Sequence, residues 1–475
     1  MRVVARVPAM IPLTLAEIAA AVRGTVCDGD PEITVTGPLR YETAKVEPGG
    51  MFAAFAGARR DGHEFAARVV ADGAAAVLAS RPVGVPAVVV GDVRDACQRL
   101  AAELVTRLPG VHRIGVTGSS GKTSTKDLLG QVLGRLGPTV APPGNRNNEL
   151  GVPETVLLTT AETRFLVAEL GARHVGDIAA LMPIVRPHTG VVLGVGTAHL
   201  GEFGSREAIA RAKAELVEAL PADGLAVLNA DDPVVAAMAG RTAARVVTFG
   251  RHSTARIRAE RVMLDGAARA RFVLRTPAGS AEVALRLHGE HFVTAALAAA
   301  AVALDHTHDV WLVADALSAA TPRSEGRMRL SERPDGVTVL DDAYNANPES
   351  MVAGLRALVA VAAGRRRTVA VLGQMNELGE GSATAHAEVG RAAVRLGVDV
   401  VVAVGNRDAA GYGGVYAPDR ETAAAVLRGL IEPGDVVLVK ASHGLGLSAV
   451  AEALIDADQI ARSAPPSTGT EMPVR

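Results

Sequence analysis

The stretch Val111–Leu136, VHRIGVTGSSGKTSTKDLLGQVLGRL, constrains the fold more than any other because its apolar period changes in mid-run. Val111, Ile114 and Val116 favour a strand, Gly115, Gly118 and Gly121 punctuate a turn, and Leu128, Leu129, Val132, Leu133 and Leu136 recur at helical spacing. A strand feeding a helix through glycines leaves backbone N–H groups aimed at one point, beside the positive end of the helix dipole. A polyphosphate suits that concavity. Gly118, Ser119, Ser120, Gly121, Lys122, Thr123 and Ser124 form the expected binding run, with Lys122 reaching the outer phosphates and the Thr123 hydroxyl available to magnesium. The strict phosphate-loop pattern has a glycine five positions before Gly121, where this chain has Val116. A turn without a ligand needs one glycine and has no use for Gly-Lys-Thr at a helix start. The run points to a nucleoside triphosphate and leaves the use of that nucleotide open.

At 475 residues the chain exceeds one core, so about three domains of roughly 100–200 residues are expected. Hydrophobic residues at 49% exclude global disorder, and a net charge of -2 removes the footprint of nucleic-acid binding. Cys27 and Cys97 stand far apart in no metal-like spacing, which fits a reducing cytoplasm. The longest apolar run, Phe292–Leu304, is mostly alanine and too short for a bilayer, so it reads as a buried helix and no membrane partner is expected. Pro8, Pro12 and Glu17 interrupt any signal-peptide pattern, and domain-like sequence begins at Ile11, which makes Met10 an alternative start.

Residues 1–109 read as a small α/β unit, with strand-like pieces at Ile33–Val35, Met51–Phe55, Ala75–Leu78 and Ala87–Val90 and a helix after Thr14. His63 reads as a cap or core group. In the region 110–322 strands keep ending in polar residues, as in an open, mostly parallel sheet with its ligands at the strand ends. Phe165–Ala168 ends in Glu169, able to serve magnesium, and Thr189–Val195 leads to Thr197 and His199. Asn145, Asn147 and Asn148 read equally well as a loop. After Ser205, a plausible N-cap, a helix places Ile209, Ala212, Leu216 and Leu220 on one face. Lys213 lies on that apolar face. It must snorkel, pair or lose its charge, and a buried lysine of lowered pKa is the kind that takes up carbon dioxide as a metal-binding carbamate. Asn229-Ala-Asp-Asp-Pro is a turn, and Thr248–Leu287 reads as a β-rich excursion. The region 323–462 alternates strands and helices in a Rossmann-like manner; Asn347-Pro348 is a cap, whereas Asp341, Asp342 and Tyr344 are left unexplained by capping. The tail 463–475 reads as disordered.

In order along the chain, GVTGSSGKTSTKDLL, NNELGVP, AELGA, TAHLGEFGS, RAKAEL, NADDP, EGRMRL, DDAYNANPESM, LGQMNELGEGSATAH and VLVKAS resemble the Mur ligases, and among them the MurF type. The resemblance runs from Ile11 to about Leu454. It implies an N-terminal UDP-substrate domain, a central ATPase and a C-terminal Rossmann-like domain. It further implies an ATP- and magnesium-dependent amide ligase that makes an acyl phosphate from a carboxylate and joins it to an amine. The substrates would be a UDP-linked muropeptide and a dipeptide, D-alanyl-D-alanine, and the protein a cytoplasmic monomer. By the same resemblance Lys122 and Thr123 serve ATP and magnesium, Glu169 and His199 the metal, and Lys213 is carbamylated. Asn148, Tyr344 and Asn345 join the nucleotide site, which Arg327 and Asp342 approach from the third domain, Asp342 at the ribose.

Three positions depart from the family pattern. The usual Asp-Ser-Arg of the UDP contact is Glu42, Thr43, Ala44; the usual adenine-side asparagine is Ala295; and the usual Lys-Ala-Ser-Arg is Lys440, Ala441, Ser442, His443. A paralogue joining other substrates is therefore one alternative. A phosphate-loop kinase or a nucleotide switch is another, although neither explains a lysine on an apolar helix face, and Ala44 and Ala295 leave a non-catalytic nucleotide-binding protein as a third.

Overall fold

The computed structural model describes residues 10–57 and 60–463, and the expected tail lies, from 464 on, outside them. The protein is α/β with three main sheets. It packs as two units, one of Met1–Met263, Arg271–Arg286 and His291–Ser324, the other of Leu264–Ala270, Leu287–Glu290 and Glu325–Arg475.

The first unit carries two of the sheets. The smaller runs in the order Thr25–Cys27, Ala87–Val89, Ala76–Ala79, Met51–Ala53, Leu39–Arg40, parallel except for its first pair. Leu13–Thr14, Thr25–Cys27 and Leu39–Arg40 were not legible as strands, because two or three residues are too few to show alternation. Helix Leu15–Val22 starts in a capping box, the Thr14 hydroxyl accepting from the Glu17 N–H and the Glu17 carboxylate from the Thr14 N–H. Helix Val93–Arg107 turns Leu100, Ala101 and Leu104 into an apolar core that continues through Leu166, Ile178 and Leu216, so small and central sheets share one interior.

The central sheet has nine strands, ordered Gly279–His288, Arg269–Thr276, Ile257–Leu264, Arg245–Gly250, Leu225–Asn229, Thr189–Val192, His112–Thr117, Phe165–Glu169, Thr139–Val140. From Thr139–Val140 to Ile257–Leu264 every pairing is parallel. The β-rich excursion forms the far end of this sheet. The alanine-rich helix is Phe292–His306, buried as expected, and its small side chains let it pack closely on helix Lys122–Leu133.

One glycine sits elsewhere than expected. Gly115 lies inside strand His112–Thr117, not in the turn, and a Cβ there would meet Leu170 Cδ1 at 2.8 Å and Leu216 Cδ1 at 3.0 Å. Gly190 in the adjoining strand is similar, since its Cβ would meet Leu216 Cγ at 3.0 Å. Two bare strand positions thus admit the helix Arg206–Glu218 against the sheet.

The second unit holds a six-stranded sheet, Arg329–Glu332, Thr338–Asp342, Val436–Lys440, Thr368–Gly373, Val400–Val404, Val415–Ala417, parallel apart from its first hairpin. Asn347 caps helix Pro348–Ala362 by accepting from the Ser350 N–H, with Pro348 at the first helical position as anticipated. No described helix is long and apolar enough to cross a membrane.

Candidate active site

The glycine run leaves strand His112–Thr117 and enters helix Lys122–Leu133 through two left-handed or open glycines, Gly118 at φ +155° and Gly121 at φ +81°. A Cβ on Gly118 would lie 2.9 Å from Leu193 Cβ, so the residue is fixed by packing as well as by φ. Lys122 Nζ donates to the Gly118 carbonyl at 2.7 Å and so curls over the loop. Ser119 sews the loop to the segment after strand Thr189–Val192: its N–H donates to the Gly194 carbonyl at 3.0 Å and its Oγ accepts from the Gly196 N–H at 2.9 Å. Ser120 and Ser124 stay half-buried on the same turn.

That neighbouring segment carries His199, a left-handed residue at φ +62° before the short helix Leu200–Phe203. Such a conformation in a non-glycine residue persists only where its surroundings enforce it. The segment leading up to it is held by three side chains, two of them from the turn Asn229-Ala-Asp-Asp-Pro. The Asp232 carboxylate accepts from the Val195 N–H at 2.7 Å, the Asn229 amide donates to the Leu193 carbonyl at 2.7 Å, and the Arg206 guanidinium donates twice to the Val195 carbonyl.

Thr123 and Glu169 meet across the sheet. The buried Thr123 hydroxyl donates to Glu169 Oε2 at 2.9 Å, and the Asn147 amide donates to Oε1 at 2.8 Å. Glu169 is 2% exposed and its recorded partners are neutral, a donor set that suits a small hard cation. Among the described residues no cluster of three or more His, Cys, Asp or Glu side chains could hold a metal. Magnesium here would complete its shell from phosphate oxygens and water, its usual habit. Asn148, expected at the nucleotide, turns its side-chain oxygen to the N–H groups of Leu150 and Gly151. The asparagine that reaches Glu169 is its neighbour Asn147.

Ser205 caps helix Arg206–Glu218 as expected, accepting from the Ala208 N–H, and Lys213 is 3% exposed on its inner face. Burial, and then the charge of Lys122, pull the Lys213 amine down from 10.5 to about 7. The snorkelling arrangement is thus not the one adopted, and Lys213 and Lys122 are close enough to feel one another.

In the second unit the Arg327 guanidinium lies 4.3 Å from the Tyr344 ring centroid, and the rings of Tyr344 and His443 are 5.3 Å apart. Asp342 accepts from Lys440 Nζ at 2.6 Å and from the Met328 N–H, while Lys440 also donates to the Asn345 carbonyl. His63 keeps the ordinary role read from the sequence: Nδ1 bonds Asp61 at 2.6 Å and Nε2 accepts from the Ser80 N–H at 3.0 Å, which ties two loops of the small sheet together.

Residues 116–303 match the Mur ligase middle domain, 326–443 the Mur ligase glutamate ligase domain, and 39–120 the Mur ligase family catalytic domain. A protein of Mycobacterium tuberculosis named UDP-N-acetylmuramoyl-tripeptide--D-alanyl-D-alanine ligase is 50% identical over 94% of this chain and 99% of its own. The chain belongs to the Mur ligase family. A crystal structure of MurF from Acinetobacter baumannii superposes with a TM-score of 0.85 at 33% identity, covering 95% of this chain and all of that one. The Thermotoga maritima MurF ligase in complex with ADP gives 0.77 at 28% identity over 90% and 98%. Within this Mur ligase, the side chains that brace the cradle from behind, Asn147, Asn229, Asp232 and Arg206, were the ones missed. The signal that would have found three of them is position, since Asn229, Asp232 and Arg206 stand at or just beyond the end of an element, whereas Asn147 lies in a loop.

Proposed function

We propose that this Mur ligase is an ATP-dependent, ADP-forming enzyme that adds D-alanyl-D-alanine to UDP-N-acetylmuramoyl-tripeptide in peptidoglycan synthesis. What carries the reading is the presence of two lysines at one cradle. A kinase or a passive nucleotide binder has a use for Lys122 and none for a second lysine buried on the inner face of helix Arg206–Glu218. The near full-length likeness to the mycobacterial ligase supports the choice of substrates.

In this reading the substrate carboxylate attacks the γ-phosphorus, ADP departs, and the resulting acyl phosphate is attacked at its carbonyl carbon by the dipeptide amine, which expels phosphate and leaves an amide. Both steps gather negative charge at the cradle. Lys122 and the loop N–H groups of Ser120–Ser124 would offset it, and Arg327 is our candidate for a further cation. Losing one such donor typically costs about 100- to 1,000-fold in rate. Thr123, Glu169, His199 and a carbamylated Lys213 would hold magnesium, which supplies positive charge against the triphosphate. Carbamylation joins the neutral Lys213 nitrogen to the carbon of CO2 with loss of one proton, and turns an unwelcome buried cation into a metal-binding anion. Asp342, Tyr344 and Asn345 are the candidates for the ribose side. We assign 1–109 to the UDP-substrate, 110–322 to ATP and 323–462 to the Rossmann-like domain, and the work of a monomer to the cytoplasm.

The test is ADP release with ATP, magnesium, the muropeptide and D-alanyl-D-alanine. ADP and amide should form in equal amounts, and only with both substrates. A phosphorylated product that persists without the dipeptide would make the protein a kinase, and no ADP under any combination would make it a binder.

A further inference from the structure

The small sheet ends in an arginine that reaches a helix packed beside the central sheet. Arg40, at the end of edge strand Leu39–Arg40, is 7% exposed, and its Nη1 lies 2.8 Å from Glu154 Oε1 while Nη2 lies 3.3 Å from Glu47. Glu154 is itself buried, on helix Gly151–Val156. Arg146 approaches the same Oε1 at 3.0 Å, so one carboxylate oxygen holds two guanidinium groups from two parts of the chain. Arg146 precedes Asn147, whose amide donates to Glu169, which in turn accepts from Thr123.

The backbone between these contacts has little freedom. A Cβ on Gly151 would meet Arg146 Cα at 2.6 Å, the Asn148 side chain holds the Gly151 N–H, and the Asn147 carbonyl accepts from the Gly171 N–H at 2.8 Å. Gly171 likewise has no room for a Cβ, which would stand 3.0 Å from Asn147 Cγ. A displacement of Arg146 is thus passed to the Asn147 amide rather than absorbed between them.

Stability alone does not account for the arrangement. Replacing buried ion pairs by apolar groups is often neutral or stabilising, and here Arg40 Nε is buried without a hydrogen-bond partner among the described residues. The far end of the chain of contacts says more. Arg40 lies two residues before the exposed Glu42-Thr43-Ala44 turn, and Thr123 and Glu169 lie at the phosphate cradle. We propose that Arg40, Glu154 and Arg146 are positioning residues that set the Asn147 amide on Glu169, and so link the edge of the small sheet to the cation and phosphate end of the cradle. The proposal rests on the reading of Glu169 as the magnesium carboxylate.

The experiment measures ADP binding by calorimetry as magnesium is varied, without turnover, on wild-type protein, Glu154→Gln, Arg40→Met and Arg40→Lys, with melting temperatures alongside. We expect the half-saturating magnesium concentration to rise about tenfold in Glu154→Gln and Arg40→Met and to return most of the way in Arg40→Lys. Lower melting temperatures with an unchanged magnesium dependence would make the cluster purely structural and overturn the proposal. Wild-type protein that binds ADP with no response to magnesium would overturn both this and the metal assignment. Wild-type protein that binds magnesium-ADP but makes no amide would defeat the ligase reading and leave the relay standing.

Discussion

Lys213 and Lys122 stand close enough at one cradle for the charge of the second to disfavour a proton on the first, adding to the larger effect of burial. The amine at about 7 is neutral roughly half the time at neutral pH, against about one part in three thousand for an ordinary lysine. Carbamate formation needs the neutral form. With 13C-labelled bicarbonate the protein should show one slowly exchanging carbamate carbon that Lys213→Ala lacks, and added acetate should restore part of the activity that this variant loses. A fully active Lys213→Ala would end the assignment.

The same lysine sets a pH dependence of stability. Its pKa is lowered on folding, so between about 7 and 10.5 the unfolded chain binds the extra proton and stability rises with pH. The contribution is present in full above 10.5 and lost as pH falls through the folded value. In CO2-depleted buffer, the slope of unfolding free energy against pH should be smaller in Lys213→Met by up to about 1.4 kcal/mol per pH unit. Equal slopes would place the ammonium in water.

Lys122 is half-buried at a helix start, where its amine donates to a loop carbonyl and takes no part in the apolar core. Lys122→Ala should therefore lower kcat by about 100- to 1,000-fold with little change in melting temperature. Near-normal turnover would remove the phosphate role.

Ala44 lies exposed in the turn Thr43–Lys45, at the position where the family resemblance leads one to expect an arginine. A guanidinium there gains a charged hydrogen bond of about 1.5–3 kcal/mol, so Ala44→Arg should lower KM for the UDP-muropeptide roughly tenfold to a hundredfold and leave KM for ATP alone. An unchanged KM would mean that the turn does not touch the substrate.

Away from the cradle, His112 stacks on His188 at 5.0 Å between ring centroids and meets His306 edge-on at 4.4 Å. Burial, then the neighbouring charges of His306 and His188, bring His112 to about 3, and burial also lowers His188 and His306. Arg113 and Arg164 oppose their protonation, Asp305 and Asp223 favour it. All three are lowered on folding, so their contribution is present above about pH 6.5 and lost as pH falls toward the folded values. The melting temperature should drop steeply below pH 6.5, and less steeply in His306→Phe, which keeps the contact with Phe165. Parallel curves would exclude the cluster as the cause.

The cradle was legible because its parts are consecutive: Gly118 to Ser124 turn, cap and charge one helix start within seven residues. Lys213 was legible because helical period alone puts it among aliphatics. Asn147 was not, since an asparagine in a loop is ordinary and only the fold shows that it faces Glu169, 22 positions away. Arg40 and Glu154 are 114 positions apart, and neither has a period or motif that would announce the pairing. The short strands of the small sheet escaped for a related reason, being held by neighbours rather than by pattern.

Gly115 and Gly190 act as a depth stop for Lys213. Leu216, one turn along the same helix face, enters the space that two side chains would otherwise fill, with its Cγ against one bare position and its Cδ1 against the other. Methyl groups at both positions would press on Leu216 and push the helix that carries Lys213 away from the sheet. The burial of that lysine is thus written in two places where the sheet carries no side chain.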